Sequence, residues 1–460
     1  MTQLALLAHR DPSAPIAYRH GQAISVRRFL TEARILAGAL PATGHVINAC
    51  ADRYRFALGF AACLISGRVS LLPPSHMASV LEQLRDFAAD AVVLADTEHR
   101  DLRLPVFPFP SLGEQVSPDR HEHVEIPAIP AEQLATWVFT SGSTGCPQPH
   151  RKHWGLLRKN VVGEVRALGF TPEDPVTLVG TVPPQHMYGF ESTVLLAWLS
   201  GGSFEASRPF YPADIAEALA RCPTNSMLVT TPFHLEKLLD AELALPKIGS
   251  LLCATAPLSD ALARRAEAEL QAPLFEIYGS TETGQLATRR TSRETAWTLF
   301  PEVRLGHRNG QTWAEGGHVE IAVPLGDLVE QLDARRFHLK GRNTDLVNIA
   351  GKRTSLGWLN QQLLAIPGVD DGSFYIPEQA EQAGASAVVR LAAFVAAPGL
   401  GADHLLKELR QRIEPIFLPR PLVLLEELPR NSVGKLLRAA CEGLLAEHER
   451  DKDKRHGRLP

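Results

Sequence analysis

The chain has 460 residues, 45% of them hydrophobic and 21% charged, and its 47 basic and 51 acidic side chains leave a formal charge of −4. That length suggests roughly two or three domains of an ordinary globular protein. With no basic surplus, nucleic acid is not indicated as a partner.

No apolar run is long enough to span a bilayer. The apolar stretch at 4–8 is too short for a signal-peptide core. The cysteines at 50, 63, 146, 222, 253 and 441 fall into no disulfide or zinc spacing. Free thiols of that kind point to a reducing, cytoplasmic setting.

From about 45 to 95 the sequence alternates between strand-like and helix-like runs: HVINAC, RFALGFAACLISG, VSLLP, SVLEQLRDF and AVVLAD. Such alternation predicts βα units and a largely parallel sheet flanked by helices. The rhythm resumes with PVTLVGTV, ESTVLLAWL, SMLVTTP, HLEKLL, LLCATAP, ALARRAEAEL and LFEIYG. Several of these strands end in small or hydroxylated residues, where open α/β sheets place ligand sites. Beyond about 300, short segments such as GHVEIAVP and RFHLKG read as antiparallel strands. From about 342 to 440 the pattern LVNIAG, SLGWLNQQLLAI, VVRLAAFVA, HLLKELRQRI and PLVLLEELP predicts a small α+β domain. The charged end, AEHERDKDKRHGRLP, is expected to be a solvated or disordered tail.

Against this background, TSGSTG at 140–145 follows the strand-like TWVF and offers almost nothing to bury. Gly142 and Gly145 free the backbone to turn N–H groups toward one point, and Thr140, Ser141, Ser143 and Thr144 add hydroxyl donors. A loop of that kind suits a polyphosphate. It is not a Walker loop, because no Gly-Lys-Ser/Thr follows at the required spacing. YGSTETG at 278–284 ends the strand-like LFEI in a second hydroxyl-and-glycine turn, now carrying Glu282. A Gly-Asp pair at 326–327, GRNTDLVNIAGKR at 341–353 and LPRNSVGKLLR at 428–438 complete the series. HEH at 121–123 has no partner cluster in sequence and reads as a solvated loop rather than a metal site.

These motifs, with PPQHMYGFE at 183–191 and in this order and spacing, resemble those of the adenylate-forming superfamily: acyl-CoA synthetases, peptide-synthetase adenylation domains and luciferases. The resemblance covers about residue 20 to about 440. It implies an α/β protein with a large N-terminal domain of parallel-type sheets and flanking helices, a smaller strand-rich subdomain, and a small mobile α+β C-terminal domain. The implied boundaries are 1–340 for the adenylation core, 341–345 for a hinge containing Thr344, 346–445 for the small domain and 446–460 for the tail.

By the same resemblance, Thr140, Ser141, Gly142, Ser143, Thr144 and Gly145 hold the β- and γ-phosphates of ATP. Thr281 contacts the α-phosphate, and Glu282 is the carboxylate associated with Mg2+. Tyr278 and Gly279 belong with the nucleotide-binding residues. Asp327 and Arg342 match residues that hydrogen-bond the ribose hydroxyls. Lys435 matches the lysine that stabilises negative charge as the acyl oxygen attacks phosphorus. His186 falls where the family has a histidine or aromatic residue bordering the acyl pocket.

The chain departs from the family pattern at three places. Gln148 stands after Pro147 where lysine is usual, with Arg151 and Lys152 close behind. Asn348 replaces a frequent lysine, and Thr344 is neutral where a charged hinge residue is common.

The resemblance places the acyl pocket among His186–Phe190, Thr231–His234, Cys253–Ala256 and Tyr278–Ser280. Its aromatic and small residues favour an aromatic or medium-sized acid. The implied reaction is acid activation by ATP to acyl-AMP, then transfer to the thiol of coenzyme A or of the phosphopantetheine arm of a stand-alone acyl carrier protein. The alternative is a nucleotide- or acyl-binding protein of the same fold without turnover.

Overall fold

A computed structural model of the chain describes residues 2–455 apart from positions 76, 99–101, 113–123, 142–146, 309, 343–345, 350–351, 378–389, 432–433 and 435. The chain divides into two compact units. The first comprises Met1–Arg308, Trp313–Pro324 and Leu332–Arg336, and the second Asn309–Thr312, Leu325–Gln331 and Phe337–Pro460.

The first unit is built on two sheets whose parallel strands arise from the βα alternation in the sequence. In the smaller sheet, His45–Asn48 lies between Val69–Leu72 and Val92–Ala95, all parallel. Leu134–Ser141 joins parallel to Val69–Leu72 and then folds back antiparallel into Pro147–His153. Helix Arg53–Ile65 follows the first of these strands, with Asp52 capping its N-terminus by accepting from the Arg55 N–H at 2.9 Å. Nearly every residue of this helix is buried, as its continuous apolar sequence requires.

In the larger sheet, Pro15–Arg19, Ser203–Glu205, Thr177–Gly180, Ser226–Thr230, Ser250–Cys253 and Leu274–Ser280 run parallel side by side. Gly284–Arg289 and Trp297–Leu299 then continue the sheet antiparallel. The C-terminal ends of Thr177–Gly180, Ser226–Thr230, Ser250–Cys253 and Leu274–Ser280 thus lie along one edge of the unit, the place where such sheets bind ligands.

Each sheet has its own apolar core. One gathers Ile47, Leu71, Leu81, Val93 and Phe139, the other Val179, Leu228, Leu235, Leu251 and Leu274. Arg53, with no exposed surface, ties the two sheets together. It donates to the carbonyls of Glu205 (3.0 Å), Ser207 (2.7 Å), Gly180 (2.8 Å) and Val182 (2.9 Å). Burial pushes its guanidinium down to about 10 despite the neighbouring Glu205.

In the second unit, Asp371–Tyr375, Ala392–Ala396 and Leu422–Leu425 form a three-stranded sheet. Leu359, Leu363, Leu405 and Leu409 from helices Leu356–Leu364 and Ala402–Arg412 pack against it. Residues 446–455, expected from composition to be solvated or disordered, continue the helix Arg438–Arg455. The reason is local. Cys441, Leu444 and Leu445 anchor the first turns against Tyr375 and Phe394, and the charged remainder is rich in strong helix formers. Residues 446–451 are largely exposed, as the composition predicts.

Candidate active site

The strand Leu134–Ser141 leads straight into the glycine loop. Thr140 is its last residue with a described side chain, and Gly142, Ser143, Thr144 and Gly145 lie outside the described residues. Ser141 is placed by its backbone, opposite Pro147 in the hairpin. The returning strand sets Gln148 opposite Thr140. Because side chains alternate along a strand, Gln148, His150 and Lys152 share one face.

That face meets the turn after Leu274–Ser280. The His150 Nε2 lies 3.1 Å from the Thr140 Oγ1 and 3.7 Å from the Glu282 Oε1, and the Lys152 Nζ donates to the Glu282 carbonyl at 3.3 Å. Arg151, on the opposite face, donates from Nε and Nη2 to both oxygens of Glu320 at 3.2 Å. Of the two cations that follow Gln148, only Lys152 is hydrogen-bonded to the turn.

The turn itself is closed by Ser280 and Thr283. The Ser280 N–H donates to the Thr283 Oγ1 at 3.1 Å, and the Thr283 N–H donates back to the Ser280 Oγ at 3.3 Å. Thr281 is half-buried and Glu282 exposed on its outer side. Burial raises the Glu282 carboxyl, but its own backbone N–H, the Ser280 hydroxyl, His150 and Lys152 outweigh that and hold it below the ordinary glutamate value. Glu282 is therefore charged at neutral pH. Burial also lowers His150, partly offset by Glu282. A cavity of about 430 Å³ runs beside the turn, lined by His150, Lys152, Asn160, Glu191, Glu282 and His318 among others.

Beneath the turn is a polar layer that the sequence reading missed. Glu191 begins its approach from Phe190–Leu195, a π-helical turn, and accepts from the Asn160 Nδ2 at 2.5 Å. Glu164 lies one helical turn after Asn160, beside Ser192 and Gln285, and Gln285 donates to the Ser192 Oγ at 2.7 Å. Burial pushes the Glu164 carboxyl up to about 7 and raises Glu191 as well. The signal in sequence was the pair of acids in otherwise apolar segments, NVVGEVRAL and MYGFESTVL. Only their meeting in space gives it meaning.

The other residues expected at the site sit on the same edge of the large sheet. His186 follows Thr177–Gly180 in the turn before Met187–Gly189, half-buried. Tyr278 packs against Trp297 with ring centroids 5.6 Å apart. At Gly279 a side chain would collide with the backbone of Gly284.

Two aromatic residues expected to line an acyl pocket do something else. Tyr188 is buried and donates to the carbonyls of Thr230 (3.2 Å) and Leu252 (2.9 Å), fastening two strand ends. Phe190 is wholly buried in edge contact with Phe56 and Phe60. Thr255, in the small-residue run after Ser250–Cys253, has φ = +81°, a strained backbone for a β-branched residue.

Within the second unit, Asp327 and Arg342 are direct partners across the antiparallel pair Asp327–Gln331 and Arg336–Arg342. Asn348 lies on the strand Leu346–Ile349. Thr344, Lys435 and the HEH run lie outside the described residues.

Comparison with known proteins places the chain. Residues 5–308 match the AMP-binding enzyme family, and the protein belongs to it. A 4-coumarate–CoA ligase of Halorhodospira halophila is 30% identical over 314 residues, 65% of this chain and 73% of that one. A 4-coumarate–CoA ligase of Rhodobacter capsulatus is also 30% identical, over 249 residues, 54% of this chain and 62% of that one. The fold is that of the O-succinylbenzoate coenzyme A synthetase of Bacillus subtilis solved with AMP, with a TM-score of 0.79 at 19% identity over 95% of this chain and 98% of that one. Among the described residues, no helix is long and apolar enough to cross a membrane.

Proposed function

We propose that the protein activates a carboxylic acid with ATP and transfers the acyl group to a thiol. The observation that carries this reading is the meeting of Thr140 and His150, from the smaller sheet, with the charged Glu282, from the turn after Leu274–Ser280 of the larger one, in a member of the AMP-binding enzyme family. In the first half-reaction a carboxylate oxygen forms a bond to the α-phosphorus, and the bond to pyrophosphate breaks. In the second, a thiol sulfur attacks the acyl carbon and AMP leaves.

The residues present fit a magnesium ion. Such an ion is commonly held by one or two carboxylates together with substrate phosphates. Glu282 supplies one exposed, ionised carboxylate next to the strand end that opens the glycine loop. When bound, the ion would neutralise charge on the phosphates.

The chain's own residues then have separate tasks. Thr140, Ser141, Gly142, Ser143, Thr144 and Gly145 donate hydrogen bonds to the β- and γ-phosphates. Thr281 donates to the α-phosphate, while Tyr278 and Gly279 border the nucleotide. Asp327 accepts from the ribose hydroxyls and Arg342 donates to them. Lys435 stabilises the charge that builds up as the acid attacks. His186 borders the acyl group. His150 holds Glu282 in register with Thr140.

An aromatic or medium-sized acid suits the small residues 254–256 and the Tyr278 ring. The relatives named for 4-coumarate, and the structural neighbour named for O-succinylbenzoate, act on acids that carry a ring. The acceptor is coenzyme A or a carrier-protein phosphopantetheine, and the segment 341–345 is the hinge between the two half-reactions.

Acid-dependent exchange of labelled pyrophosphate into ATP, run over aryl, short-chain and medium-chain acids, tests this reading. Exchange with at least one aryl or medium acid is the expected result. ATP binding without exchange across the panel would instead assign a binding protein without turnover. Adding coenzyme A or a carrier protein to the active reaction then identifies the acceptor.

A further inference from the structure

The second unit contains a clamp that the sequence does not announce. Asp371 opens the strand Asp371–Tyr375. Its two carboxylate oxygens each accept from Arg430, Oδ2 from Nε and Oδ1 from Nη2, both at 2.7 Å. This is the two-bond fork geometry in which a guanidinium and a carboxylate fix each other's orientation. Both side chains are only 21% exposed.

The remaining arm of the fork is committed as well, because Arg430 Nη1 donates to the Gly434 carbonyl at 3.0 Å. That carbonyl belongs to the peptide group whose nitrogen is that of Lys435.

Further bonds close the turn around this point. Arg430 is bridged antiparallel to Leu436, the Arg430 N–H donates to the Leu428 carbonyl at 2.8 Å, and the Gly434 N–H donates to the Asn431 carbonyl at 2.8 Å. Gly434 has φ = +76°, a conformation that admits glycine without strain. The residue before Lys435 and the residue after it are thus both tied to Arg430, and Arg430 is tied to the sheet.

We propose that Arg430, oriented by Asp371, is a positioning residue that holds the turn carrying Lys435, through the Gly434 carbonyl and the Leu436 bridge, for adenylate formation. A lysine has a long, freely rotating side chain whose ordering costs entropy. Holding the Gly434 carbonyl, from which the chain continues into the lysine, lowers the entropy that must be lost when the ammonium group acts. The inference rests on the role given to Lys435 in the proposed function.

The test uses the full-length protein with Arg430→Gln, Arg430→Lys and Asp371→Asn, each made in the parent and in a Lys435→Ala background. The adenylation half-reaction is read as pyrophosphate exchange with the acid giving the fastest exchange in the panel above. The second half-reaction is read as transfer from the synthetic adenylate of that acid to pantetheine, the thiol arm common to both acceptors.

In the parent background, exchange kcat is expected to fall by up to about 10²-fold, as misplacement of a reacting group does, with KM for ATP nearly unchanged. Arg430→Lys, which keeps the charge and loses the fork, falls with the Gln variant. Transfer to pantetheine stays at the parental rate, which also shows that the unit remains folded. In the Lys435→Ala background the same substitutions cost nothing further.

Loss of both half-reactions in parallel, or an undiminished loss without Lys435, would overturn the inference. A Lys435→Ala enzyme exchanging at the parental rate would overturn the role of Lys435 itself, a result visible before any clamp variant is measured.

Discussion

A β-carbon on Gly284 would collide with the carboxamide of Asn160, the group that donates to the buried Glu191 carboxylate at 2.5 Å. The turn carrying Glu282 therefore sits on a buried polar layer, with no space between them at its last residue. Gly284 also has φ = +73°. Gly284→Ala is expected to destabilise the protein by about 1–2 kcal/mol from the backbone alone and to raise the magnesium concentration needed for exchange. Urea midpoints check the first effect and a magnesium titration of exchange checks the second. A parental midpoint would mean that the turn moves aside freely.

Glu164 gives the first unit a pH-dependent weakness. Burial raises its folded-state value to about 7 from an ordinary 4.5, so the folded protein binds this proton more tightly than the unfolded chain does. The stabilisation from the neutral carboxyl is complete below pH 4.5 and is lost as pH rises through about 7. Glu164→Gln, which stays neutral, should exceed the parent in stability by up to roughly 3 kcal/mol at pH 8. The gap should shrink toward pH 5. Thermal unfolding of both proteins from pH 5 to 8 reads this directly, and a gap independent of pH would refute it.

Much of this was legible in the sequence, for physical reasons that can be named. The alternation of apolar runs from HVINAC to LFEIYG maps onto parallel strands and their helices because periodicity records burial. TSGSTG and YGSTETG are expected to follow strand-like runs, and Thr140 and Glu282 are found at the ends of such strands. What the sequence could not supply was partnership across distance. Arg151 and Lys152 look equivalent as a basic pair, but strand alternation sends one to Glu320 and the other to the Glu282 carbonyl. Tyr188 and Phe190 look like pocket walls, yet one fastens strand ends and the other fills the core. The charged tail is solvated, as its composition predicts, and helical as far as Arg455 because Cys441, Leu444 and Leu445 dock the start of its helix, a partnership composition does not reveal.

Thr255 offers a test of stored strain. A β-branched residue at φ = +81° carries roughly 1–3 kcal/mol of backbone strain, against about 1 kcal/mol that glycine costs through unfolded-chain entropy. Thr255→Gly should therefore unfold at a temperature no lower than the parent. It should also shift the acid preference toward bulkier acids, because this residue stands in the small-residue run assigned to the acyl pocket. A melting temperature well below that of the parent would show that the Thr255 side chain contributes more than its strain removes.

Arg53→Met removes five donors from a closed interior and leaves the carbonyls of Gly180, Val182, Glu205 and Ser207 without them. The expected loss is about 3–5 kcal/mol, measured by urea unfolding. An unchanged midpoint would show that these carbonyls find other partners.

The same guanidinium has a consequence for how the first unit can be taken apart. Each sheet has a core of its own, so either half looks able to stand alone. Arg53 makes that division costly on both sides, because one fragment would keep a buried cation without acceptors and the other a row of carbonyls without a donor. Two polypeptides cut within 169–176, the first still carrying Pro15–Arg19 of the larger sheet and each poorly folded by itself, should assemble when mixed and recover ATP binding. In this molecule the boundary between two cores is a joint and not a seam.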